Sequence, residues 1–281
     1  MALAQRRKKA IFTALKLFML ILLVVVFFLP LMSMVVTSLK TREELFVVPP
    51  VVFPKVAQWV NYISAWTMVR FGKFLLNSVI LSLFYTLPCI MASCFAGYAF
   101  SRFQIKESRG MFLLVLATMM IPYMVTVVPL YLIITKIGLT DKRWLWLFFG
   151  LQGAPFLIFL FRQYFSTIPI SFEESARLDG ANRFQIFFYI MFPLVQTGVI
   201  IAGIFAFQWS WADFLQPTLF LRGEKLTLAV KLARGYVDQK ESLLYHVGMA
   251  GLLYYTLPII VLFFALQRRF ISGLLAGGLK G

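Results

Sequence analysis

Charge is scarce in this chain: only 14% of its 281 residues are Asp, Glu, Lys or Arg, and the acids number 11 against 27 bases. With 61% hydrophobic content beside it, that scarcity excludes an ordinary soluble domain and assigns the chain to a membrane. Histidine occurs once, at His246, with no Cys, Asp or Glu cluster at ligand spacing around it, so no metal site is expected. Cys89 and Cys94 stand five apart in an apolar run, where a helix points them to different faces. They are expected to be packing thiols, not a disulfide or a metal pair. A G-x-x-x-x-G-K-[ST] loop is absent, since Gly72-Lys73 runs into Phe74 and Gly223 into Glu224, so the chain has no cradle for nucleotide phosphates. There is no Ser/His/Asp or Cys/His arrangement and no paired-carboxylate site, and no catalytic residue is proposed.

What is present is a set of long charge-poor windows. About 30 Å of hydrocarbon needs roughly 18 or more apolar residues, and windows of that kind predict six spans at 12–39, 74–101, 110–135, 144–164, 193–221 and 242–267. The first follows Arg6-Arg-Lys-Lys9 but is longer than a signal-peptide core and is closed by no A-x-A site, so it is expected to remain as an anchor. Its basic cluster predicts a cytoplasmic N-terminus, and six crossings return the C-terminus to the same side of the cytoplasmic membrane. No internal repeat or low-complexity segment is evident, and residues 1–281 are expected to form one transmembrane domain. The formal charge of +16 sits at segment ends and in loops, which points to membrane anchoring and not to nucleic acid. Two readings stand for the bases of the first outer loop, Lys40, Arg42, Lys55, Arg70 and Lys73: anchoring in the interface, or attraction of an anionic substrate. In the same loop Trp59, Tyr62 and Trp66 at helical spacing predict a short interfacial helix. Pro88, Pro122, Pro129, Pro155, Pro217 and Pro258 fall in or beside the windows and can kink or break their helices.

Between the fourth and fifth windows lies a polar island, residues 166–192, with Ser171-Phe-Glu-Glu-Ser-Ala-Arg-Leu-Asp-Gly-Ala-Asn182 at its centre. Ser171 with Glu174, and Asn182 with Gln185, have the spacing of capping boxes, and Gly180 suits a left-handed helix stop. Two short helices at a sharp turn are expected, and hydrocarbon would not tolerate them, so the island should present a surface to a partner. Polar groups inside the spans are costly and normally face a cavity or another helix, which nominates Asn77, Gln152, Gln196, Gln208 and Asp213 for a substrate path. Trp209 and Trp211 offer flat apolar faces on which sugar rings can stack.

Along nearly its whole length the chain resembles the inner-membrane permeases of binding-protein-dependent ABC importers for carbohydrates, in particular the maltose-type second permease. Those permeases carry a cytoplasmic motif of E-A-A, three residues, Gly, nine residues and I-x-L-P. Here it reads Glu174-Ser175-Ala176, Gly180 and Ile190-Met-Phe-Pro193, with every interval kept and with Ser175 and Phe192 as departures. Further likeness lies in Ala96-Gly-Tyr-Ala-Phe-Ser-Arg-Phe103, Trp211-Ala-Asp-Phe214 and the tail Gln267–Gly281. The resemblance implies an all-α, six-helix type I ABC importer permease fold without catalysis of its own. Residues Glu173, Glu174, Ser175, Ala176, Asp179, Gly180, Ala181 and Pro193 would form the coupling element. It further implies a homologous second permease that holds most sugar contacts, two ATPase subunits carrying ATP and Mg, and an extracytoplasmic solute-binding protein. The tail 272–281 would lie against the ATPases. A carbohydrate is the implied substrate; the alternatives are an acidic oligosaccharide or a glycerophosphodiester-like substrate. A stand-alone ion-coupled transporter would need several paired acids within the spans, and Asp213 alone is available.

Overall fold

The computed structural model describes residues 2–103 and 106–278, and the apolar windows fall on helix. Of the tail 272–281, residues 279–281 lie outside the described residues. In chain order the helices are α1 (Ala2–Ser38), α2 (Arg42–Phe46), α3 (Val60–Met68), α4 (Phe71–Arg102), α5 (Ser108–Thr118) and α6 (Tyr123–Lys136). Then follow α7 (Leu145–Leu151), α8 (Pro155–Ser166), α9 (Ser171–Leu178), α10 (Arg183–Leu194) and α11 (Gln196–Ala212). The last three are α12 (Leu215–Phe220), α13 (Leu228–Ala233) and α14 (Tyr245–Gly278).

Three stretches, Ile11–Ser38, Phe71–Arg102 and Tyr245–Gln267, are unbroken helices long and apolar enough to cross a membrane. The third and fourth windows hold bent pairs, α5 with α6 at 95° and α7 with α8 at 45°, and the fifth begins at a third bend, 78° between α10 of the polar island and α11. Each bend has a local cause. Pro122 and Pro155 open α6 and α8 and deny the preceding turn a backbone donor. The third bend falls at Val195, two residues after Pro193. Pro193 therefore ends the bent segment instead of opening the fifth span, as expected from sequence, because α10 continues helically through Met191 and carries the proline in its last turn.

Contacts sort the chain into two compact units. The first comprises Met1–Phe71 and Arg234–Tyr254. Here α1 exposes apolar side chains all round, from Leu20 to Phe27, a surface that only lipid or another chain can cover. The connection to α3 is fixed by buried Asn61, which donates to the carbonyls of Ser38 and Lys40 at 2.9 Å each. On α3, Tyr62 and Trp66 meet the ring of Tyr254, while Trp59 is exposed.

The second unit comprises Gly72–Ala233 and Tyr255–Gly281, and α4 runs through its core. Small residues let helices approach α4 closely: a Cβ at Gly97 would stand 2.6 Å from the Phe161 Cβ, and one at Gly150 would stand 2.4 Å from the Tyr85 carbonyl oxygen. Cys89 and Cys94 are buried as free thiols in this core. Where α7 breaks before α8, the Ser93 hydroxyl accepts the Ala154 N–H at 3.0 Å, so the irregular backbone keeps a partner away from water.

Candidate functional site

The polar island folds as two helices joined at a corner. Its first helix begins one residue earlier than the capping arithmetic predicts. Ile170 already has helical dihedrals and accepts N–H groups from Glu173 and Glu174, so Ser171 lies inside the first turn and its hydroxyl makes no cap. The corner follows the expectation. Gly180 sits at φ +85°, Ala181 N–H returns to the Ala176 carbonyl at 2.9 Å, and Gly180 N–H reaches that of Arg177 at 3.1 Å. The second capping box is complete: Asn182 accepts from Gln185 N–H at 2.9 Å, and Gln185 accepts from Asn182 N–H at 2.8 Å.

Which face the first helix turns inward is the main surprise. Glu173 and Ala176 are buried, while Ser171, Glu174, Ser175 and Asp179 are exposed. Placing Glu173 with Glu174 on an outward surface is therefore corrected: Glu173 turns toward Arg102 and Tyr98 of α4, and Glu174 stays outside. Only 1% of the Glu173 side chain remains exposed, yet its charge is compensated. Arg102, the last residue of α4, brings Nε to 2.6 Å from Oε1. Arg177 stands 3.6 Å from Oε2, and the Tyr98 hydroxyl donates to Oε2 at 3.0 Å. The Arg102 Nε contact is an ion pair and not a hydrogen bond. The same arginine also donates to the Ile168 carbonyl at 2.7 Å, which ties the end of α4 to the chain entering α9.

The second helix is held by aromatic packing. Residues Ile186–Met191 form a π-helical turn that buries Ile186, Phe187 and Met191. Phe187 stacks on Phe95 with ring centroids 4.3 Å apart and meets Tyr98 edge-on at 5.3 Å. On the outward side Leu178, Phe184 and Tyr189 are 89%, 72% and 78% exposed, and Tyr189 lines one of two shallow depressions that share Asp179 and Ile190. Large apolar groups left in the open on a polar helix pair mark a contact surface.

A second feature lies among α4, α6, α7, α11 and α12: a cavity of about 580 Å³. It gathers four of the nominated path residues, Gln152, Gln208, Trp209 and Asp213. Tyr85, Tyr123, Trp146, Ser210 and Gln216 complete the polar and aromatic lining and were not singled out from sequence. Trp209 is 39% exposed and is braced by Phe156 and Phe205 at 6.2 and 5.9 Å. Asp213 accepts the N–H groups of Leu215 and Gln216 through Oδ1 at 3.0 and 3.1 Å, an Asx turn that starts α12. The other nominated residues lie elsewhere. Trp211 is 1% exposed, stacked on Phe207 and Tyr255 with its indole N–H on the Tyr255 carbonyl. Asn77 is buried, donating to the carbonyls of Glu224 and Leu226 and accepting from Arg143. Gln196 is exposed at the start of α11. Among the described residues no three His, Cys, Asp or Glu side chains gather at metal-binding distance.

Residues 89–275 match the family described as binding-protein-dependent transport system inner membrane component. The melibiose/raffinose/stachyose import permease MelC of Bacillus subtilis (strain 168) is 32% identical over 90% of this chain and 92% of its own length. The arabinooligosaccharides transport permease AraQ of the same organism is 33% identical over 95% of each chain. The maltodextrin permease MalD of Streptococcus pneumoniae (strain ATCC BAA-255 / R6) is 32% identical over 79% of each. Among solved structures, a chain of a bacterial ABC transporter involved in alginate import superposes with a TM-score of 0.80 at 20% identity, covering 94% of this chain and 98% of that one. That likeness shows a shared fold.

Proposed function

Since this chain belongs to the inner-membrane components of binding-protein-dependent transport systems, we propose that it is the permease subunit of an ATP-driven importer of a sugar or oligosaccharide. The carbohydrate assignment is supported by relatives at 32–33% identity whose names specify oligosaccharide import. The observation that carries the mechanism is the bent helix pair 171–194, anchored inward by Glu173 and Phe187 and open outward at Glu174, Ser175, Asp179 and Leu178. In this reading the outward face seats in separate ATPase subunits, which bind and hydrolyse ATP with Mg, while a homologous permease completes the translocation path. A solute-binding protein delivers the sugar on the far side, and both termini of this multi-pass chain are cytoplasmic.

The geometry supplies a mechanical rationale. A push on the exposed face of α9 reaches α4 through a buried charge pair and a stacked ring, with no flexible linker in series. Alternating access is then a two-state rearrangement biased by nucleotide. Gln152, Gln208, Trp209 and Asp213 stand on the path as polar and aromatic contacts.

Co-purification with an ATPase, and hydrolysis stimulated by sugar-loaded binding protein, are the direct test. Glu174→Lys and Gly180→Pro should abolish stimulated hydrolysis and transport while the subunit still inserts. Unchanged stimulated hydrolysis in both variants would refute the coupling role.

A further inference from the structure

We propose that the cavity among α4, α6, α7, α11 and α12 is a subsite of this subunit for a neutral, hydroxyl-rich sugar ring, and that Asp213 there excludes uronate sugars. Its volume of about 580 Å³ lies within the ~300–1,000 Å³ usual for small-molecule sites. The lining combines aromatic faces with amides and hydroxyls, the mixture that stacks on a pyranose and exchanges hydrogen bonds with its hydroxyls.

One detail points to a ligand beyond shape. Asp213 engages the protein through Oδ1, which accepts two backbone N–H groups of α12 and leaves Oδ2 for a sugar hydroxyl. No Lys, Arg or His lines the cavity, so the lining holds nothing to neutralise an incoming carboxylate. At the effective dielectric of about 20 that suits protein sites, two like charges within several ångströms repel strongly enough to weaken binding by tenfold or more. The same carboxylate strengthens hydrogen bonds to neutral hydroxyls. The bases of the first outer loop therefore do not require an acidic substrate.

This inference rests on the import reading, and the experiment separates the two. The assembled transporter is placed in nanodiscs without its binding protein and probed by saturation-transfer NMR with raffinose and with trigalacturonate, as wild type, Asp213→Asn and Gln208→Lys. Asparagine keeps an oxygen for the α12 turn and removes the charge. Wild type should show transfer to raffinose and at least about tenfold less to trigalacturonate. Both variants should bring the trigalacturonate signal to within about threefold of the raffinose signal. Absence of transfer to either sugar, equal transfer to both in wild type, or the wild-type ratio retained in both variants would overturn the proposal. Hydrolysis stimulated by sugar-loaded binding protein is recorded on the same preparation; if it is present while the charge preference is missing, the subsite fails and the import reading stands.

Discussion

Glu173 and Asp213 are both carboxylates at the edge of apolar helices, and their surroundings make them opposites. Glu173 is fully enclosed and meets two arginines and a phenol. Asp213 is half-buried, meets two backbone N–H groups through one oxygen, and lines an open cavity. A buried charge whose partners come from several segments acts as a joint, because moving any one of them strands the others in low dielectric. A carboxylate satisfied on one side only is free to bind something that comes and goes. The comparison teaches that partner count, more than burial or residue type, separates the mechanical role proposed for one from the recognition role proposed for the other.

The largest expected effect comes from breaking the joint. Arg102→Ala leaves Glu173 enclosed with a single, 58% exposed arginine as its charge partner, and should destabilise the subunit by about 3–5 kcal/mol, the usual cost of stranding a buried charge. Thermal unfolding in detergent measures it. The double variant Arg102→Ala with Glu173→Gln should recover part of the loss, and a single variant within 1 kcal/mol of wild type would erase the distinction from Asp213.

Next is the corner. Gly180→Ala meets no steric neighbour, since a Cβ there faces open space, but it forces a side chain to φ +85°. About 1–2 kcal/mol of destabilisation is expected from the backbone alone. Asn182→Ala removes one half of a formed capping box and should cost about 1 kcal/mol. Ser171→Ala, by contrast, should be nearly silent, because Ser171 makes no cap; a loss equal to that of Asn182→Ala would contradict the helix start seen here. Asp213→Asn should also change stability by well under 1 kcal/mol, since Asn serves the α12 turn as well as Asp.

The smallest effect is a pH dependence outside the spans. The Lys225 ammonium, 2.5 Å from Oδ2, and the Arg222 N–H hold the Asp141 carboxyl below the ordinary carboxylate range. A carboxyl whose folded pKa is depressed contributes stability above its unfolded value of about 3.9, and the contribution is lost as pH falls through the folded value. Asp141→Asn should therefore lower stability slightly at neutral pH and flatten its acid-side decline below about pH 4. Because Asp141 and Lys225 are both partly exposed, added salt should shrink the difference between variant and wild type.

Much of the molecule was legible in the residues. Charge-poor windows locate the helices because hydrocarbon length sets a minimum run, and spacing located the corner at Gly180 and the box at Asn182 because both are made by neighbours in sequence. The inward turn of Glu173 was not legible. Glu173 and Glu174 are chemically identical neighbours, and which one is enclosed depends on Arg102 and Tyr98, more than seventy residues away. Likewise Trp209 and Trp211 look interchangeable, yet α11 sends one to the cavity and stacks the other on Tyr255.

Composition and short-range spacing thus settled that this is a polytopic helical protein with a polar elbow, since membrane thickness and helix capping act over one segment at a time. Long-range packing settled which carboxylate is locked, which tryptophan is free, and that Tyr85, Tyr123, Ser210 and Gln216 share a cavity with Asp213. Those outcomes depend on how segments distant in the chain are brought side by side, and no local pattern encodes that.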